Sequence, residues 1–199
     1  MAGFYDYLMR FSPEHREKLV KIAHIILCYE EAKRRGLLEQ VSSVLASVIS
    51  YFWKEKMRRN LEEKWFHDIV QKLANEYHMC RAEALAVSSI VGYVFSRAYT
   101  KEAYEHEIER VNDCECRVLW KGTCDVAMVY GILKRLGMVE VTELREICEL
   151  YNVAAKEVAK FTLEVVGLPY IPDVVKERIE RDLSGRGICI EKIFVKKIS

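Results

Sequence analysis

The chain has 199 residues, of which 51% are hydrophobic, and its 31 lysines and arginines stand against 30 aspartates and glutamates. This balance excludes a global field that would draw the whole protein to nucleic acid or to an anionic membrane, so any binding of polyanions has to be local. The apolar stretches are shorter than the roughly 20 residues that span a bilayer, and the start lacks the pattern of a secretory signal. We therefore expect a soluble, cytoplasmic protein with no membrane partner. Its seven cysteines are then expected to be free thiols, metal ligands or redox groups.

Helical periodicity dominates the first half of the chain. Ser12 and Pro13 predict the start of a helix, because serine caps free amides and proline fits the first helical position. Gly36 predicts its end. The next helix has a wide apolar stripe that we expect to face the core: Val41, Val44, Leu45, Val48, Ile49, Phe52 and Trp53.

Further helices are predicted from apolar spacing along the rest of this half. They cover residues 62–77, 81–96 and 100–111, and the last of these is charged on most sides. We expect the charged helix to be a partly exposed connector.

The pattern then changes to that of a strand. Cys114, Cys116, Val118 and Trp120 stand at alternate positions, which is the period of a half-buried strand. The ending "GICIEKIFVKK" is strand-like as well.

Between these two strands the spacing is again helical. It predicts helices at 123–136, at 142–151 and at 154–166, and a further one that begins near Pro172.

The fold class that these elements predict is α+β and mainly α, with a helical N-terminal half followed by helices with a small two-stranded β element. We expect a helical region at 1–110 and a cysteine-containing α+β region at 111–199, either separate or joined in one continuous domain. An isolated two-stranded ribbon is only marginally stable, so the strands have to pack on helices or on a second subunit. A homodimer is therefore expected.

Five cysteines of the second region are the candidate metal ligands: Cys114, Cys116, Cys124, Cys148 and Cys189. A strand would point the first two sulfurs to one face, and a turn could bring the third back. Either of the last two would complete a tetrahedral zinc site or an iron–sulfur cluster. No C-x-x-C pair is present, so two alternatives stay open: a redox or catalytic thiol, and cysteines buried as small hydrophobic residues.

A shared pattern relates two other segments, "LANEYHMCRAEALAV" and "ICELYNVAAKEVAKF". Both predict helix–turn–helix units, with turns at 78–79 and at 152–153. Such a unit can place a recognition helix in the major groove of DNA, where Arg81 or Lys156 would contact phosphates. Basic residues are sparse on both recognition helices, so nucleic acid is the less favoured partner.

Two stretches of the second region, "CRVLWKGTCDV" and "GRGICIEKIF", resemble the vinyl-reductase domain family and the related thiazoline-carboxylate hydrolase-like proteins. The resemblance covers about residues 112–196. It implies an α+β domain, often dimeric, that binds a small ligand or a metal through its cysteines. It also implies a ligand role for Cys116, Cys124, Cys148 and Cys189.

The function predicted from these observations is binding of a metal or a small ligand through the cysteine cluster, in a sensor or accessory role. One alternative is a helix–turn–helix regulator that binds DNA. Another is a helical interaction or scaffold protein with inert thiols. No nucleophile elbow, P-loop, dinucleotide fingerprint or His-Glu zinc motif is present, so the sequence leaves open whether a reaction is catalysed and names no catalytic residue.

Overall fold

The computed structural model describes residues 2–95, 104–113 and 115–198 of the chain. The helices in these ranges are α1 (Ala2–Leu8), α2 (Pro13–Arg34), α3 (Leu38–Asn60), α4 (Lys64–Glu76), α5 (Arg81–Phe95), α6 (Asp125–Arg135) and α7 (Leu144–Val165). The strands are β1 (Tyr104–Asn112), β2 (Glu115–Thr123), β3 (Tyr170–Arg181) and β4 (Arg186–Lys197).

The first long helix follows the sequence prediction. The Ser12 hydroxyl accepts a hydrogen bond from the amide of His15 at 3.3 Å, so serine caps α2. Gly36 follows the helix with a φ of +70°, a conformation that costs other residues energy. Both ends of α2 are therefore confirmed.

The described strands form one antiparallel sheet in the order β1-β2-β4-β3. The prediction of a small two-stranded element is wrong, because the sheet has four strands. The two predicted strands, β2 and β4, are its central pair. The two edge strands, β1 and β3, come from segments for which the sequence predicted helices.

Strand β1 replaces the charged helix expected at 100–111, of which residues 100–103 lie outside the described residues. Its three exposed glutamates, Glu105, Glu107 and Glu109, stand at alternate positions, which is the period of a strand with one solvated face. The half-buried Ile108 lies opposite Val118 of β2 on the other face. The helical interpretation overlooked this period of two.

Strand β3 replaces the helix expected from Pro172. Its first inward positions, Pro172, Val174 and Lys176, are buried and alternate with more exposed residues. A β-bulge after Lys176 then shifts the alternation by one, so that Ile179 and Arg181 are the next half-buried residues. The shift breaks the period of two, and this is why the segment looks helical in sequence.

Helix α7 is continuous over 22 residues, so the two short helices predicted at 142–151 and 154–166 are one. The turn expected at 152–153 does not form, because Asn152 is buried within the helix and the apolar face continues through Ala155 and Val158. The second predicted helix–turn–helix unit is therefore wrong.

The first such unit does contain two helices, α4 and α5, joined through His78 with a φ of +52°. Its second helix cannot enter a DNA groove in this structure, because residues 82–90 of α5 are buried without interruption. Arg81 is the exposed residue at its start.

Helix α3 packs on α7 with a face rotated from the predicted one. Its buried residues are Leu45, Ala46, Ile49, Ser50 and Met57. Val44, Val48 and Phe52, which were expected in the core, are exposed by 58%, 45% and 58%. The rotation places the small residues Ala46 and Ser50 of α3 in the core. The wide apolar stripe was therefore not sufficient to predict which face of the helix is buried.

The core lies between the inner face of the sheet and the helices α5 and α7 that cover it. The Tyr93 hydroxyl of α5 donates to the carbonyl of Tyr151 in α7 at 3.1 Å. Residues from both predicted regions, 1–110 and 111–199, contribute to this core. Within the described ranges, no helix combines the length and the apolar character needed to cross a membrane.

Candidate functional site

A polar cluster lies on the inner face of the sheet, beneath α7. The register places Lys176 of β3 opposite Glu191 of β4, and Cys189 opposite both Ile179 and Trp120 of the neighbouring strands. Directly paired residues of antiparallel strands share a face. The fold thus collects a cation, a carboxylate, an indole and a thiol in its core.

Lys176 and Glu191 form an ion pair whose side chains are 4% and 0% exposed. The other carboxylate oxygen of Glu191 accepts a hydrogen bond from Trp120 Nε1 at 2.9 Å. The side-chain amide of Asn152, assigned the orientation that satisfies both neighbours, donates to Glu191 Oε1 and accepts from the backbone N–H of Lys176, both at 3.2 Å. A buried ion pair is tolerated only when such additional bonds replace lost hydration, and here they are present.

Cys189 lies next to this pair and is 5% exposed. Its Sγ atom lies 4.0 Å from Lys176 Nζ and 3.5 Å from Arg181 Nη2. Arg181 is held by donating from Nη1 to the carbonyls of Gly122 at 2.7 Å and Gly185 at 3.0 Å. Two cationic groups therefore contact one thiol.

Two glycines make room for the Arg181 side chain. In the register, Gly187 of β4 lies between Arg181 of β3 and Gly122 of β2. Because neither glycine has a side chain, the guanidinium of Arg181 can extend over β4 to the carbonyl of Gly122. A Cβ at Gly187, whose φ is +136°, would overlap the carbonyl oxygen of Glu180. The hairpin therefore requires glycine at position 187.

A groove of about 290 Å³ opens beside this cluster, at the first turn of α7. Its lining residues are Glu143, Leu144, Arg145, Lys176, Glu177, Arg178, Ile179 and Arg181. Four of these are basic and two are acidic. The lining therefore has more basic than acidic side chains, and three of its cations, Lys176, Arg145 and Arg178, are paired with acids outside the lining.

One of the two acids contributes little negative charge to the groove. Glu177 binds Arg117 at 3.0 Å and Lys192 at 3.1 Å. Burial opposes the charge of Glu177, but hydrogen bonds from Lys192 and Arg117 keep the pKa of this carboxyl below its usual value. Its charge is therefore compensated by its two cationic partners.

Two arginines at the rim are paired with exposed acids. Arg145 pairs with Glu149 at 3.1 Å and Arg178 with Glu180 at 2.7 Å. All four side chains are more than half exposed. Such surface pairs contribute little to stability, so a ligand can exchange for the acid at small cost.

The predicted metal ligands are spread over the fold. Cys116 lies opposite Ile193, and Cys189 lies opposite Trp120, so the two thiols are separated by four residues along the sheet, about 13 Å. Burial, reinforced by Glu83 and Glu115, raises the pKa of Cys116 to about 12. The cavity beside it is about 10 Å³, room for about one water.

Three more cysteines belong to the predicted set. Cys124 precedes α6 and its amide donates to the carbonyl of Gly185 at 3.0 Å, while Cys148 is buried in α7. Cys114 lies outside the described residues. In the part of the chain that the structure describes, no three His, Cys, Asp or Glu side chains meet as a metal site would require. Zinc or iron–sulfur binding stays a prediction.

Two further buried carboxylates connect α2 to the second half of the chain. Asp125, fully buried, contacts Lys18 and lies 3.5 Å from His15 Nε2; burial outweighs these partners and raises its pKa. Glu30 accepts hydrogen bonds from the amides of residues 140–142 at 2.9 to 3.1 Å. Burial would raise the pKa of Glu30, but these bonds lower it to about 2. Both carboxylates join elements rather than line the groove.

The sequence analysis found Cys189 but missed Lys176, Glu191, Asn152 and Trp120 as members of the same polar cluster. One signal for them was present, since Glu191 occupies an inward position of a strand whose other inward residues are apolar. A charged residue at such a position needs a partner. The partner could not be named without the register of β3.

Comparisons with protein-family models, with curated proteins and with solved structures find no match to this chain. The vinyl-reductase resemblance therefore stays a prediction.

Proposed function

We propose that the protein binds a small molecule with a carboxylate or phosphate group in the groove at the first turn of α7. The observation that carries this proposal is the groove of about 290 Å³, in which a buried lysine and a half-buried arginine lie behind two exposed arginines. Sensing or presenting that ligand is the role that we assign to it. This is the small-ligand form of the function expected from the sequence.

The two rim arginines, Arg145 and Arg178, provide most of the groove's net attraction for an anion. Lys176 is already balanced by Glu191, and Arg181 is bonded to two carbonyls. Arg145 and Arg178 have weaker partners and present planar guanidinium groups, which bind carboxylate or phosphate through two parallel hydrogen bonds. The anion is therefore expected at the rim.

The apolar part of the ligand has its own surface in the groove. Leu144 and Ile179 belong to the lining, and small-molecule sites usually combine apolar walls with a few placed polar groups. We therefore expect a compact anion with a short apolar body rather than a polyanion.

The test compares two charge-neutralising variants of the same hairpin. Arg178→Gln removes a groove cation, whereas Arg186→Gln removes an exposed cation that does not line the groove. Isothermal titration calorimetry with phosphate and, separately, with butyrate at constant ionic strength measures the Kd of each anion for each variant. A bidentate contact is worth about 1.4 kcal/mol, so Arg178→Gln should weaken binding about tenfold and Arg186→Gln should not.

Each anion is one arm of this test. Tighter binding of butyrate supports a carboxylate ligand with an apolar body, and tighter binding of phosphate supports a phosphate ligand. If both variants weakened anion binding equally, the overall charge of the protein and not the groove would determine binding, which would contradict the proposal. The absence of saturable binding of either anion would contradict it as well.

A further inference from the structure

We propose that Cys189 is the reactive group of this site and that its thiol forms a covalent bond with small anionic electrophiles bound in the groove. This inference rests on the proposed anion binding. It goes beyond that function because it assigns a bond-forming residue and a class of ligand, an electrophile with a carboxylate or phosphate group.

The position of the sulfur supports this assignment. Its two cationic neighbours, Lys176 Nζ at 4.0 Å and Arg181 Nη2 at 3.5 Å, both belong to the lining of the groove. Ile179, paired with Cys189 in the sheet, lines it too. The thiol therefore lies directly behind three groove residues, although it is only 5% exposed.

The ion pair provides a route for the thiol proton. Lys176 Nζ is hydrogen-bonded to Glu191 Oε1 and also approaches the sulfur. As Lys176 passes one proton to the carboxylate and takes one from sulfur, Glu191 becomes a neutral acid and Cys189 a thiolate between two cations. The negative charge moves from oxygen to sulfur, and both cations are kept.

The bond-forming step then needs only the electrophile. The sulfur lone pair forms the S–C bond, the bond from that carbon to its leaving group breaks, and the leaving group departs with the electron pair. No oxidant or reductant takes part. The proton held by Glu191 then passes back through Lys176, which lines the groove, to the displaced leaving group or to solvent there.

Two alkylating reagents of similar size and different charge test the inference. Iodoacetate carries a carboxylate, whereas iodoacetamide is neutral. Intact protein is treated with each, and alkylation of every cysteine is followed by peptide mass spectrometry. The exposed Cys28 serves as the reference within the same molecule, and the buried Cys116 as the unreactive one.

The expected result is a ratio of iodoacetate to iodoacetamide rates at Cys189 that exceeds the ratio at Cys28 by about tenfold, the effect of one well-placed charge contact. Butyrate should protect Cys189 and not Cys28. Arg178→Gln should lower the ratio of the iodoacetate rate to the iodoacetamide rate at Cys189, whereas Arg186→Gln should leave that ratio as it is.

The outcomes separate this inference from the function on which it rests. If butyrate or phosphate binds as proposed and Cys189 resists both reagents, the thiol is inert and the inference is overturned while the binding function stands. If Cys189 reacts with the same charge ratio as Cys28 and butyrate gives no protection, the groove does not deliver anions to the thiol, which also overturns it.

Discussion

Lys176 and Glu191 face each other across strands β3 and β4 as a buried ion pair beneath helix α7, with side chains 4% and 0% exposed. Trp120 and Asn152 bind the same carboxylate, and the lysine also belongs to the lining of the basic groove. The pair thus joins the core to the site and has consequences for both stability and binding.

Removing only one charge of this pair should be costly. Lys176→Met leaves the Glu191 carboxylate buried without its cation, and we expect a loss of about 3 kcal/mol in the free energy of unfolding. Adding Glu191→Gln should restore more than half of it, because the amide keeps the size of the side chain and carries no charge. Urea denaturation at pH 7 of the two single variants and the double variant measures this coupling. If the losses of stability in the two single variants simply added in the double variant, the predicted coupling would be contradicted.

Gly131 marks a close contact between α6 and the hairpin of β3 and β4. A Cβ at this position would overlap the carbonyl oxygen of Leu183, whereas a Cβ at Gly92 in α5 meets nothing within 4 Å. Gly131→Ala should therefore lower the free energy of unfolding by about 2 kcal/mol through overpacking against backbone. Gly92→Ala should raise it by up to about 1 kcal/mol, since alanine is the better helix former. Thermal unfolding of both variants measures this difference in stability. Equal effects of the two substitutions would contradict the prediction.

Glu30 should make stability depend on pH in the acid range. Its pKa is about 2 in the folded chain, against 4.5 as its ordinary value. Because the folded pKa is the lower one, the stabilisation is fully present above pH 4.5 and is lost as the pH falls through about 2.

The matching variant is Glu30→Gln. At pH 7 it should destabilise the protein by about 2 kcal/mol, because bonds from three amides to a carboxylate become bonds to a neutral group. The difference from the unsubstituted protein should shrink between pH 4.5 and pH 2 in urea titrations. A difference that stays constant over that range would show that the charge of Glu30 does not contribute.

Local patterns predicted the elements with one strong period and a clear boundary. Ser12 and Gly36 defined α2, and the alternation of Cys116, Val118 and Trp120 defined β2. The edge strands failed for particular reasons: β1 carries charge on its solvated face, and the bulge after Lys176 interrupts the alternation of β3. Because these two edge strands were predicted as helices, the sequence analysis expected two strands where the sheet has four.

The site was less accessible to sequence reasoning than the fold. The cysteines were grouped by proximity in sequence, yet the sheet places Cys116 and Cys189 about 13 Å apart. The residues of the polar cluster around Cys189 come from four elements, β2, β3, β4 and α7, and only the register of β3 against β4 brings Lys176 to the thiol. Convergence of distant segments leaves no local pattern.

The most direct test of the binding site is an amide chemical-shift map of the ¹⁵N-labelled protein during titration with phosphate and with butyrate. We predict saturable shifts concentrated at residues 143–145 and 176–181, with the same Kd at both segments, and a Kd about tenfold higher in Arg178→Gln but not in Arg186→Gln. Shifts that do not saturate, or that concentrate away from these two segments, would contradict the assignment of the groove as an anion site.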